Sequence, residues 1–148
     1  QAQGTGLDFV VNEKGDNFSS GMVQLFCMAR VLLRKPKVVF MDEATASVDL
    51  ETDVAVQRAI RGDGGLRGAT LITVAHRLQT VIDFDKILVM ADGRAVEFGH
   101  PHELLQNPGS EFTNLVENTG AGSAAELRNR AEEAYRSRKG SMAAAAKG

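Results

Sequence analysis

The sequence has few of the features that mark secreted or membrane-embedded proteins. It contains a single cysteine, Cys27, among its 148 residues, so no disulfide can form within the chain and a reducing compartment suits it. No apolar run approaches the roughly 18–20 residues that a membrane-spanning helix needs. The first residues lack the charged start and apolar stretch of a signal peptide. We therefore expect any membrane role to come from segments outside this sequence.

The sequence also lacks an excess of positive charge. Its formal net charge is -2, with 43% apolar and 24% charged residues, which is an ordinary globular composition. A nucleic-acid partner is not expected, because binding one calls for a basic face. The length suits one domain or part of one, and without an initiator methionine the sequence is expected to begin within a domain.

A helix is predicted from about Ser19 or Ser20, either of which suits an N-cap, to Pro36, which ends it. Apolar residues recur on one face at helical spacing. They are Leu25, Met28, Ala29, Leu32 and Leu33. Because Met22, Phe26 and Val31 widen this face, we expect the helix to be well buried.

Two apolar runs predict neighbouring strands. Val38 to Met41 is continuous and without alternation, which is typical of a strand covered on both faces in a parallel sheet. Thr70 to Ala75 is a second such run and, like the first, contains β-branched residues. A helix from Asp49 to about Arg61 separates them, so the order is strand, helix, strand, a right-handed unit by default. The fold class is predicted to be α/β.

A hairpin and two short helices are predicted next. Asp92-Gly93 separates the runs Ile87 to Met90 and Ala95 to Phe98, and Asp-Gly between two such runs is a strong hairpin signal. The helices are predicted over Pro101 to Gln106 and over Glu111 to Glu117.

The remaining residues carry weaker signals. His100 and His102 are assigned to a loop, with no role. From residue 120 the sequence becomes rich in Gly, Ala and charge without a convincing apolar stripe, so residues 120–148 are predicted to be a solvated helix with a disordered end.

Two carboxylates follow the first strand directly. Asp42 and Glu43 are expected at the carboxyl edge of a parallel sheet, where α/β folds bind ligands. The first acid suits Mg²⁺, which uses few carboxylates and keeps several waters. The second suits the activation of a water that attacks a terminal phosphate. The alternative is an acidic helix start, where both residues are simply favoured.

Two further segments suit an anionic ligand. Ser19-Ser20-Gly21 opens the first helix, where a hydroxyl and unpaired backbone N–H groups meet the positive end of the helix dipole; ordinary helix capping is the alternative. His76 follows the second strand, where an imidazole suits a hydrogen bond to a phosphate oxygen; a purely structural histidine is the alternative.

In this order the segments resemble the ATP-binding-cassette ATPases. Phe18-Ser19-Ser20-Gly21-Met22 matches their signature motif, and Val38 to Glu43 matches Walker B with its catalytic glutamate. Ser47-Val48-Asp49 matches their D-loop, and His76 matches their switch histidine. The resemblance runs from about Gly6 to Val116. Asn17-Phe18-Ser19 and Ala44 to Asp49 look most like the second nucleotide-binding domain of the multidrug-resistance-associated, or C, subfamily of transporters.

The resemblance implies a partial P-loop NTPase fold and a role for each matching residue. Asp42 would hold Mg²⁺, Glu43 would activate the attacking water, and His76 would contact the terminal phosphate of ATP. Two such domains pair head to tail, so Ser19, Ser20 and Gly21 would face the ATP held by the partner domain, with Asp49 acting across the interface. The partners would be a second nucleotide-binding domain and transmembrane domains that export a solute, with this chain on the cytoplasmic face of a membrane.

The sequence departs from the family in two places. Met22 stands where the signature has Gln, and Val23 replaces a basic or polar residue. No G-x-x-x-x-G-K-[ST] phosphate loop is present. Residues 1–119 are therefore predicted to be the C-terminal half of an ATPase domain, and the isolated chain is expected to bind ATP weakly and not to hydrolyse it. The alternatives are a truncated, non-catalytic interaction module and a cassette ATPase that is not a transporter.

Overall fold

The computed structural model of the chain describes residues 6–42, 48, 50–61, 65–66, 68–75 and 77–145. In chain order its elements are α1 (Ser20–Arg34), β1 (Val38–Asp42), α2 (Leu50–Arg61), β2 (Thr70–Val74), α3 (Leu78–Val81), β3 (Ile87–Ala91), β4 (Arg94–Gly99), α4 (Pro101–Leu104), α5 (Glu111–Glu117) and α6 (Ala121–Ala145). Two 3-10 turns precede α1. The chain divides into two compact units, with the boundary in the sequence between Val74 and Ala75.

The first unit contains the predicted parallel strands. β1 and β2 pair in parallel over their whole length, from Val38 opposite Thr70 to Asp42 opposite Val74. A parallel pair cannot be joined by a tight turn and needs a long crossover. Helix α2 lies in that connection, so the predicted order of strand, helix and strand is confirmed.

One face of this sheet packs against helices α1 and α2. The shared core consists of buried side chains from both helices, from β1 and from the loop before β2: Met28, Val39, Met41, Val56, Ile60 and Leu66. On the opposite face Val38 is 50% exposed and Phe40 is 76% exposed. The prediction that β1 is covered on both faces is therefore wrong for the described residues. A continuous apolar run shows that both faces of a strand are apolar. It does not show whether other elements of the chain pack on both of them.

Helix α1 is more exposed than its apolar stripe predicted. Met28 packs into the core, whereas Phe26 is 53% exposed and Leu33 is 84% exposed. The helix ends where the proline signal placed its end. Lys35 adopts the left-handed conformation with φ of 47° and donates its backbone N–H to the Val31 carbonyl oxygen at 3.2 Å, which satisfies one of the terminal carbonyls.

The second unit begins with the predicted hairpin. β3 and β4 pair antiparallel, with an irregularity of register between Val89 and Met90. Asp92 and Gly93 form the connection, with φ values of 49° and 73°. Two successive positive φ values fit a two-residue turn whose twist matches that of the strands. The hairpin prediction is confirmed. It could be made from the sequence because the signal for a tight turn is local.

The core of the second unit includes the last helix. Buried residues from α5, α6, the hairpin and the flanking loops form one cluster: Ile82, Val89, Leu105, Phe112, Val116, Ala124, Leu127 and Ala131. Leu127 is 1% exposed and Ala131 is fully buried. The expectation of a solvated helix is therefore wrong for this face of α6, although the helix itself is confirmed. The helix continues to Ala145, so the expected disordered end is not found among residues 140–145. No helix among the described residues combines the length and the apolar character needed to cross a bilayer.

Candidate functional site

The first predicted site lies at the carboxyl edge of the parallel strands. Asp42 is the last residue of β1, and its side chain is exposed while its backbone pairs with Val74. The alternation along β1 explains this position, because Val39 and Met41 turn toward the helices. Asp42 thus presents its side chain at the edge where parallel sheets bind ligands.

Three of the predicted site residues, Glu43, Asp49 and His76, lie outside the described residues. In the sequence Glu43 follows Asp42 directly, and His76 comes two positions after Val74. The convergence of Asp42, Glu43 and His76 on one cleft, and the role of Asp49, stay predictions.

The fit of a magnesium ion depends on the donors at this edge. Among the described residues, no group of three or more His, Cys, Asp or Glu side chains is arranged to hold a metal. Mg²⁺ does not require such a group, since it is commonly held by one or two carboxylates together with waters and substrate phosphates. An exposed carboxylate at a strand end suits that mode of binding, so Asp42 fits the ion.

The second predicted site is the start of α1. Ser19 is the N-cap, with its backbone in an extended conformation, and its Oγ accepts a hydrogen bond from the Met22 backbone N–H at 3.2 Å. Accepting this bond leaves the Ser19 O–H able to donate to another group. Ser19 and Ser20 are exposed, and Gly21 is buried. Capping and anion binding are therefore compatible at this helix start, and the positive end of the helix dipole adds to both.

The loop that leads into α1 is closed by the side chain of Asn17, whose structural role the sequence analysis did not predict. Asn17 accepts the Asn12 backbone N–H through Oδ1 at 3.1 Å and donates through Nδ2 to the Val10 carbonyl oxygen at 2.8 Å. Asparagine often bonds nearby backbone in this way, so its place in a Gly-containing loop was the available signal. Phe18 follows, with its ring centroid 5.1 Å from that of Phe26.

The departures from the signature motif lie on the surface of α1. Met22 is 45% exposed and Val23 is 37% exposed. The Val23 backbone N–H donates to the Ser19 carbonyl oxygen at 3.0 Å, so the first turn forms as in any helix. The substitutions therefore change the side chains that the turn presents and leave its backbone regular.

Two acidic residues cap helices in the second unit. Glu97 accepts the Glu111 backbone N–H at 2.7 Å and the Phe112 backbone N–H at 3.0 Å, at the start of α5. Glu103 accepts the His100 backbone N–H at 3.4 Å, and His100 is the N-cap of α4. His100 therefore has a structural role that the sequence analysis did not assign. Pro101 at the first helical position and Glu103 two positions later were the available signals.

A model of the family described as "ABC transporter" matches residues 2–46 of this chain. Curated relatives match most of it. The chain is 49% identical over 127 residues to ABC transporter C family member 3 of Dictyostelium discoideum, an alignment that covers 86% of this chain and 9% of that protein. It is 44% identical over 129 residues to human ATP-binding cassette sub-family C member 4, covering 87% of this chain and 10% of that protein.

A third relative is ATP-binding cassette sub-family C member 2 of Rattus norvegicus, at 52% identity over 107 residues, which covers 72% of this chain and 7% of that protein. The chain thus spans between 7% and 10% of the length of these relatives. Among solved structures, a bacterial Atm1-family ABC exporter with ATP bound matches with a TM-score of 0.65 and 34% identity. That match covers 78% of this chain and 20% of the exporter chain, which is consistent with a partial P-loop NTPase fold.

Proposed function

This chain belongs to the ATP-binding-cassette transporter family, and from that premise we propose that it is part of a domain that binds and hydrolyses ATP to power export. The observation that carries the proposal is the parallel register that ends β1 at the exposed Asp42. It sets a carboxylate at the ligand-binding edge of the sheet, in a segment that matches Walker B. Residues 1–119 form the C-terminal half of that domain in this proposal.

Each carboxylate has a separate task in the proposed reaction. Asp42 holds Mg²⁺, which, when bound, neutralises charge on the phosphates. Glu43 accepts a hydrogen bond from the attacking water and orients it toward the terminal phosphate. A positioned general base of this kind contributes about 10²- to 10⁴-fold to a rate. His76 donates a hydrogen bond to an oxygen of the same phosphate.

The start of α1 serves a different nucleotide in this proposal. Two domains pair head to tail, and Ser19, Ser20 and Gly21 face the ATP held by the partner domain. The exposed hydroxyls of Ser19 and Ser20 support this, because both lie at the positive end of α1. Asp49 acts across the same interface.

Met22 and Val23 add an apolar patch beside these hydroxyls. Apolar groups next to the anion offer no hydrogen bonds to it, so this half of the partner's site is weakened. A position as the second nucleotide-binding domain of a C-type transporter suits this change, since in that subfamily the partner site is often the poorly hydrolysing one. The transmembrane domains of the same transporter would then hold this chain at the cytoplasmic face of the membrane.

The test uses a full-length C-type transporter in which this chain replaces the matching segment. Hydrolysis of ATP is measured in membrane vesicles for the exchanged protein and for Glu43→Gln and Asp42→Asn. The proposal expects Glu43→Gln to lower turnover by roughly 10²-fold or more while ATP is still bound. Asp42→Asn is expected to raise the Mg²⁺ concentration that supports half-maximal turnover.

The matched control is Glu126→Gln, which changes an exposed glutamate on α6 and should leave turnover unchanged. If Glu43→Gln and Glu126→Gln retain equal turnover in an exchanged protein that hydrolyses ATP, Glu43 is not the base. If the exchanged protein folds and inserts but has no turnover under any condition, the catalytic proposal is refuted, and a non-catalytic interaction role is favoured.

A further inference from the structure

We propose that His100, Glu103 and Tyr135 form a proton-sensitive latch, in which protonation of His100 releases the C-terminal half of α6 from α4. The proposal concerns the second unit alone and does not depend on the nucleotide chemistry. Its basis is an imidazole that caps one helix, is buried, and touches the aromatic ring that docks a second helix.

The contact between α6 and α4 centres on Tyr135. Its ring stacks on His102 with a centroid distance of 4.8 Å and meets the edge of His100 at 4.9 Å. Its hydroxyl donates to Glu103 Oε1 at 3.3 Å. These three partners lie within four consecutive residues, so the conformation of this one turn decides whether Tyr135 keeps its contacts with the turn.

The turn depends on a neutral His100. Nδ1 of His100 accepts the His102 backbone N–H at 3.1 Å, so the ring proton of the neutral imidazole lies on Nε2. His100 is 6% exposed, and its Nε2 is a buried atom without a hydrogen-bond partner among the described residues. A second proton would have to bind Nδ1. Nδ1 would then be a donor facing the His102 N–H, which is also a donor, so the hydrogen bond between them would be lost. Protonation therefore removes the cap of α4 and leaves a buried cation.

The charges around His100 add to this cost. Arg138 of α6, His102 of α4 and Lys86, which precedes β3, disfavour the protonated form, and only Glu103 favours it. Arg138 is itself paired with Asp85 and donates to the Asp83 carbonyl oxygen at 3.1 Å, which moderates its effect. Burial is the largest cause and Arg138 the next, and together they lower the pKa of His100 from its usual 6.5.

The sign of the pH effect follows from that direction. Because the pKa of His100 is lower in the folded chain than in the released turn, the released form binds the proton more readily. The latch is therefore fully stable above pH 6.5, and it weakens as the pH falls from there through the lowered value. For each unit by which the pKa of His100 differs between the docked and released forms, full protonation lowers the equilibrium constant for docking by about tenfold.

The release is limited to the distal part of α6. Upstream, Leu127 and Ala131 are buried in the core, and Arg128 donates to the Leu105 carbonyl oxygen at 3.0 Å. These contacts contain no histidine. Beyond them, residues 132–139 are held by Tyr135 on the turn and by the contacts of Arg138 with Asp83 and Asp85, so this is the segment whose protection is expected to fall.

The test is amide hydrogen exchange of the 148-residue chain, followed residue by residue by NMR between about pH 7.5 and about pH 5.5. Rates are corrected for the intrinsic pH dependence of exchange. We expect amides of 132–139 to lose protection several-fold on acidification, while amides of 124–131 keep theirs. In His100→Asn the loss should disappear, because asparagine caps a helix well and does not titrate.

His102→Gln is the matched control, since it removes a second histidine that touches Tyr135 but does not cap α4. It should retain the pH-dependent loss. Equal loss in wild type and His100→Asn, or no loss in wild type, would overturn the proposal. Should His100→Asn not fold, the ring protons of His100 in the wild type provide the decision. A titration midpoint below 6.5 that coincides with the opening of 132–139 supports the latch, and any other midpoint refutes it.

Discussion

Replacing Leu127 by alanine tests whether α6 is part of the fold of the second unit. Leu127 is 1% exposed and lies among Phe112, Val116 and Ala131 in the core. The substitution removes three buried carbon groups, whose transfer contributes about 2.4 kcal/mol at about 0.8 kcal/mol each. Its neighbours on the same helix face, Ala124 and Ala131, are too small to fill the space, and a cavity of about 50 Å³ adds about 1 kcal/mol. We expect the free energy of unfolding to fall by about 3.5 kcal/mol.

Urea-induced unfolding provides the measurement. Tyr135 is the only tyrosine and the chain has no tryptophan, so intrinsic fluorescence reports on α6 and hence on the second unit. With a slope of about 1–3 kcal/mol/M, the expected loss moves the urea midpoint by roughly 1.2–3.5 M. Leu115→Ala is the control, because Leu115 is 47% exposed on α5 and should cost about 1 kcal/mol or less. A loss for Leu127→Ala no larger than that for Leu115→Ala would refute the argument that α6 is packed into the core.

The remaining predictions use the same assay. Gly93→Ala should lower the free energy of unfolding by about 1 kcal/mol. Gly93 has a φ of 73°, which alanine adopts only with strain, while the space around it is open, so the backbone conformation is the whole cost. Gly122→Ala should raise it by about 0.5 kcal/mol or more, because Gly122 lies in α6 with open space around it; equal effects of the two substitutions would contradict the backbone argument. Glu97→Gln should lower the free energy of unfolding by about 1–2 kcal/mol, because α5 loses a charged acceptor at its start. Glu126→Gln is the control and should change this free energy little. If Glu97→Gln also leaves it unchanged, the two hydrogen bonds add no stability.

Local signals predicted local structure well. The hairpin follows from Asp92-Gly93, the start of α1 follows from Ser19, and its end follows from Pro36. Burial was predicted less well, because it depends on partners that a single segment does not specify. The apolar run at Val38 and Phe40 was expected to be covered on both faces, and one face is open.

The buried stripe of α6 was missed for a different reason. Ala124, Leu127 and Ala131 recur at helical spacing, but two of the three are alanines, which contribute little hydrophobicity and are common on exposed faces. The stripe is narrow, because these three positions are the ones that α6 contributes to the buried cluster. Periodicity in hydrophobicity therefore understates the burial of a helix face that is made mostly of alanine.

The candidate site was predictable where it depends on strand ends and helix caps. A strand that ends at Asp42 and a helix that begins after Ser19 both follow from the sequence, and the structure has both. The roles of Glu43, Asp49 and His76 stay predictions from the family motifs. The capping role of His100 had a local signal in Pro101 and Glu103, whereas its contact with Tyr135, 35 positions away in the chain, had none.

The open face of the β1–β2 sheet affects how any solution experiment on this chain is done. Four apolar side chains on this face are each between 46% and 76% exposed: Val38, Phe40, Ile72 and Val74. Together they form an exposed apolar patch on a short parallel strand pair, which favours self-association. Encounters between two molecules become more frequent with the square of the protein concentration, whereas unfolding of one molecule does not depend on it. Dilution series therefore belong in every stability measurement, so that self-association is not mistaken for a property of the single chain.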